Sequence, residues 1–87
     1  MIEVHLERSI ISFDGRVIEA FSDNQEARRY HVAHVETAEM PADKKGRQVL
    51  RIWMKGRGGI LTGELSPEAV QQAQQLVAEV EKAKASL

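Results

Sequence analysis

Ile60-Leu61-Thr62-Gly63-Glu64-Leu65-Ser66-Pro67-Glu68-Ala69-Val70 carries the chain from a strand into a helix, and the rest of the fold follows outward from that junction. Ser66 is a good N-cap, because its hydroxyl can accept a hydrogen bond from an otherwise unpaired backbone N–H. Pro67 falls at the first helical position, where its missing donor costs nothing. Glu68 favours the positive end of the helix dipole. Beyond it Ala69, Val70, Ala73, Leu76, Val77, Val80 and Ala83 recur at helical spacing, while Gln71, Gln72, Gln74, Gln75, Glu79, Glu81 and Lys82 take the opposite face. The pattern predicts an amphipathic helix over about 67–84. Its single apolar stripe suits an element that caps a sheet or barrel rather than one buried inside it.

Upstream of the junction the period is two. Ile60 to Leu65 reads as a return strand and Gly56-Arg57-Gly58-Gly59 as a loose turn before it. Gln48 to Lys55 is a strong strand, with Leu50, Ile52 and Met54 on one face and Val49, Arg51 and Trp53 on the other. Pro41 and residues 42–46 form a loop. Between Arg28 and Met40 the step from Val32 to Val35 breaks the alternation, which predicts a kink or short helical turn near Ala33-His34. A further strand then runs through Thr37 and Ala38. Ser22 to Glu26 is a polar connection. Asp14-Gly15 has the chemistry of a two-residue hairpin turn, pairing Phe13 with Arg16 and Ile11 with Ile18. That puts Phe13, Ile11, Ile18 and Ala20 on the core face. Residues 2–13 form one long bent strand or two short ones.

The fold class is therefore β-rich α+β. A bent antiparallel sheet or small barrel of six to seven strands spans about residues 2–65, capped by one C-terminal amphipathic helix, in a single domain of 1–87. A chain of 87 residues buries about 60–65% of its unfolded surface, which leaves a modest core and no room for a deep substrate cleft. Its hydrophobic fraction of 43% is that of a globular protein. The absence of cysteine removes disulfides, thiolate metal sites and cysteine nucleophiles, and suits a cytoplasmic protein. The start Met1-Ile2-Glu3-Val4-His5 lacks the basic and apolar regions of a signal peptide. No apolar run approaches the roughly 18 residues of a membrane span.

Charge is unevenly distributed. Residues 1–43 hold four basic and nine acidic side chains. Residues 44–65 hold Lys44, Lys45, Arg47, Arg51, Lys55 and Arg57 against Glu64 alone. A basic hairpin over 44–57 thus sits in an otherwise acidic protein.

The order of these elements resembles the pleckstrin-homology-like fold, a bent antiparallel barrel plugged by a C-terminal helix. Arg28-Arg29-Tyr30-His31-Val32-Ala33-His34-Val35-Glu36-Thr37-Ala38 looks like the strand–kink–strand unit of small bacterial members. Gln48 to Trp53 with Ile60 to Leu65 looks like their last hairpin, and Ser66-Pro67-Glu68 opens the closing helix. The resemblance spans nearly the whole chain. It implies a scaffold that binds peptides, proteins or lipids and seldom catalyses. Phosphoinositide-binding members place a loop rich in lysine and arginine at the first hairpin, where this chain has Asp14-Gly15 and only Arg16. The lipid headgroup site is therefore not carried over.

Residues that could support catalysis are few. None of Ser9, Ser12, Ser22, Ser66 and Ser86 lies in a nucleophile-elbow setting. Gly56-Arg57-Gly58-Gly59 lacks the following Lys-Ser/Thr and helix of a phosphate loop. His31 and His34 can share a metal only if the kink is helical and a third ligand such as His5 joins them. No enzyme activity, metal or cofactor is expected. The group that stands out is Trp53 with Arg51 and Lys55 on its own face, Arg57 beyond and Arg47 at the other end of the strand. Three readings remain open for it. Trp53 packs in the core or against a second subunit; or the group anchors a protein partner, as Trp and Arg often do; or it stacks and neutralises nucleic acid or an anionic lipid surface. The resulting expectation is a non-enzymatic interaction or scaffold module that binds a protein or itself, with a nucleic-acid or anionic-surface binder through the basic hairpin as the alternative.

Overall fold

A cap, a proline and an apolar stripe predict one helix, and one helix forms: α1 runs Pro67–Ala85. The Ser66 hydroxyl accepts from the Ala69 N–H at 3.3 Å. A computed structural model of the chain describes residues 1–23, 27–42, 44–56 and 60–87, with 60–62 described through their backbone alone. Seven strands precede the helix: β1 Ile2–His5, β2 Ser9–Phe13, β3 Val17–Ser22, β4 Ala27–His31, β5 Val35–Glu39, β6 Val49–Met54 and β7 Ile60–Glu64. They form two antiparallel sheets, of order β1-β2-β3-β4 and β5-β6-β7. This is the bent-sheet form of the expected architecture. No hydrogen-bonded closure into a barrel is found among the described residues. Residues 2–13 are two short strands, paired Ile2 to Phe13 and Val4 to Ile11.

The first hairpin differs from its expected register. The turn residues are Gly15 and Arg16 rather than Asp14 and Gly15, so Phe13 faces Ile18 and Ile11 faces Ala20. The Asp14 carboxylate causes the shift. It accepts from the Arg16 and Val17 N–H groups, each at 2.8 Å, while the Asp14 N–H donates to the Val17 carbonyl at 3.3 Å. Gly15 supplies the positive φ of 103° that the turn needs. A slip of two residues leaves side-chain parity intact. The expected core face is therefore preserved, with Ile11, Phe13 and Ile18 buried.

The break in period at Val32 is a single 3-10 turn, Val32–His34, that joins the two sheets. The next strand contains a bulge at Glu36: Val35 pairs with Met54 and Thr37 with Trp53. The extra residue lets Val35 and Ala38, an odd number of residues apart, both turn inward. They meet Leu50, Ile52 and Met54 from β6, Val4 from β1, and Ala69, Ala73, Leu76 and Val80 from the helix in one core.

Helix α1 rests on β1, β2, the 3-10 turn and β5, and so bridges the two sheets. Its last turns also fasten to the free side of β5. Glu81 Oε1 accepts from the Ala38 N–H at 3.0 Å, and Lys84 Nζ donates to the Glu36 carbonyl at the bulge. At the far end Leu6 lies against Gly63 of β7, so close that a Cβ there would come within 2.6 Å of Leu6 Cδ1. Among the described residues no helix is long and apolar enough to cross a membrane.

Candidate interaction surface

The alternation of β6 decides where its side chains go. Leu50, Ile52 and Met54 fill the core, which turns Arg51 and Trp53 to the outer face of the second sheet. Trp53 is 41% exposed, so the expectation that it packs in the core is not met within a single chain. It is held by its neighbours. The indole Nε1 donates to Glu39 Oε1 at 3.1 Å, across the diagonal of the β5–β6 pair. The Arg51 guanidinium lies 5.9 Å from the ring centroid and its Nη1 is 3.7 Å from the same carboxylate oxygen. That distance is at the outer limit of a cation–π contact, worth roughly 0.5–1 kcal/mol at an exposed site. Glu39 thus fixes both the ring and the cation. It lay outside the expected site because only the strand register brings it opposite Arg51.

The remaining predicted residues do not gather there. Lys55 is exposed just past the strand, its N–H donating to the His34 carbonyl at 2.8 Å. Arg57 lies outside the described residues. Arg47 sits at the opposite end of β6, about 20 Å from Trp53 at strand rise, and pairs with Glu64 of β7 at 3.1 Å. Lys44, Lys45 and Arg47 belong to the connection between β5 and β6, closed by a bridge between Ala42 and Gln48. The basic hairpin is therefore two separate cationic regions, each containing a neutralising glutamate.

Beside Arg47 an open cleft of about 800 Å³ is lined by Leu6, Glu64, Leu65, Pro67 and Val70, where the β1–β2 connection meets the start of the helix. A second, of about 580 Å³, lies at the other end of α1 between Arg16, His31, Lys82 and Leu87.

The histidines are separated. His5 on β1 and His31 on β4 occupy opposite edges of the four-stranded sheet, and the register sets His5 level with Ala27, so the two lie about 20 Å apart at ordinary strand spacing and rise. The kink is helical, but the Nδ1 of His31 accepts from the Ala33 N–H at 3.0 Å and caps that turn. Among the described residues no group of three or more metal-ligating side chains comes together. One carboxyl is perturbed: hydrogen bonds from the Val17 and Arg16 N–H groups hold Asp14 below its usual range.

No family model, curated protein or solved structure matches the chain.

Proposed function

We propose that the chain is an interaction module of pleckstrin-homology-like architecture that presents the outer face of β5–β6–β7 to a protein partner or to a second copy of itself. The observation that supports this is the half-exposed Trp53, held in place by Glu39 and Arg51 rather than left loose. A preorganised aromatic flanked by an arginine loses little side-chain freedom on binding, and such residues commonly dominate interface energies. The order of strands and the helix that bridges the sheets support the architecture. The surface has mixed sign, with Glu39 beside Arg51 and Glu64 beside Arg47, which suits a protein surface better than a polyanion.

A photo-crosslinking amino acid at exposed Lys55, two residues from Trp53, tests the reading, with the same group at exposed Glu68 as control. Adducts with the chain itself or with another protein, confined to position 55 and lost in Trp53→Ala, support it. Equal yields at both positions sink it. Retention of single-stranded nucleic acid or anionic vesicles, falling steeply with salt, favours the basic-surface alternative.

A further inference from the structure

We propose that the outer edge of β4 docks an extended, carboxylate-bearing segment of a partner protein, which joins the first sheet as a fifth strand. The inference stands apart from Trp53, which lies on the other sheet.

The sheets end in four terminal strands: β1, β4, β5 and β7. Among the described residues, side chains of the helix bind the outward backbone groups of one of them. β5 has its outward Ala38 N–H and Glu36 carbonyl bound by Glu81 and Lys84. β4 pairs with β3 on one side, and among the described residues no backbone hydrogen bond joins its other side.

The direction of its backbone groups follows from the ladder. The Val32 N–H donates to the Arg16 carbonyl at 2.7 Å, in the same register that pairs Val17 with His31. Hydrogen-bonded pairs alternate in an antiparallel ladder. Tyr30 and Arg28 therefore bond inward to Ile18 and Ala20. Ala27, Arg29 and His31 direct their N–H and C=O groups outward. These donors and acceptors are spaced for an incoming strand.

Charge selects the occupant. β4 reads Ala27-Arg28-Arg29-Tyr30-His31, with two arginines on opposite faces and no carboxylate. Arg29 meets Glu19 at 2.9 Å, yet its side chain stays 74% exposed. An antiparallel second copy centred on Arg29 would set two guanidiniums opposite each other, and like charges in that position destabilise a pair. The same Arg29 that discourages self-pairing favours a strand bearing glutamate or aspartate.

The test uses the full chain and a blocked hexapeptide of alternating glutamate and valine. Its controls are the same peptide N-methylated along one hydrogen-bonding edge and a lysine–valine version. The glutamate peptide is expected to shift and slow exchange of the Arg29 and His31 amides, while both controls bind far more weakly. Arg29→Glu weakens the glutamate peptide by about tenfold or more, a charge pair being replaced by repulsion. Ala27→Pro, which removes only an outward donor and leaves the ladder to β3 intact, weakens it too, and Gln72→Ala on the exposed face of α1 leaves it unchanged. Equal binding of the N-methylated or lysine peptide overturns the proposal. So do amide shifts centred on another strand, or no binding at millimolar peptide.

Discussion

Asp14 does more than permit a turn. Its carboxylate takes two backbone N–H groups and thereby decides which residues form the loop. Because those bonds favour the ionised form, its pKa is lower folded than unfolded. The stabilisation is therefore present above the unfolded value and is lost as pH falls through the folded one. Melting temperatures of wild type and Asp14→Ala should differ at neutral pH and converge below about pH 4. At Gly63 the constraint is space. An added methyl meets Leu6 Cδ1 at 2.6 Å, and because that atom is the far end of a flexible side chain, Gly63→Ala is expected to fall at the low end of the about 1–3 kcal/mol usual for overpacking. Leu6→Ala should recover part of that loss in a double-mutant cycle measured by urea denaturation. Strictly additive losses would show that the contact relaxes freely. Neither effect is visible in the sequence, because the first depends on two hydrogen bonds to one carboxylate and the second on a contact between distant parts of the chain. What could be read was parity: Phe13, Ile11 and Ile18 reach the core despite the shifted partners.

The elements themselves were more legible than their joints. Ser66, Pro67 and the apolar stripe placed the helix to within a residue of its end. The broken period at Val32 located the 3-10 turn. The bulge at Glu36 was hidden, since Glu36 and Thr37 suit either face. So was the grip of the helix on β5, which depends on Glu81 and Lys84 reaching backbone groups over 40 residues away. Ser66→Ala should cost about 1 kcal/mol, the usual value of a helix N-cap, read as a lower denaturation midpoint with an unchanged slope. Glu81→Ala should speed exchange of the Ala38 amide selectively, leaving the Ile52 amide protected. Uniform acceleration of both would instead mean global destabilisation. The site was only half legible for the same reason: alternation turned Trp53 and Arg51 to one face, but charge counting merged Arg47 with them, although most of a strand separates the two.

At the scale of the whole molecule, one small core holds two sheets and a helix together. Domains of this kind are stable by about 5–15 kcal/mol. Leu76 is fully buried where the helix meets the strands. Leu76→Ala should cost about 2–5 kcal/mol, a large share of that stability, read as a lower melting temperature by circular dichroism. Trp53→Ala, on an outer face, should move the melting temperature little while altering association.

The grip of Glu81 and Lys84 on β5 also sets the valence of the protein toward other strands. An open edge is a template on which another strand can pair. Releasing Ala38 and Glu36 by cutting the helix short, or by replacing both clamp residues, would open such a template on β5. The final turns of the helix therefore keep one edge out of intermolecular pairing as well as contributing to folding.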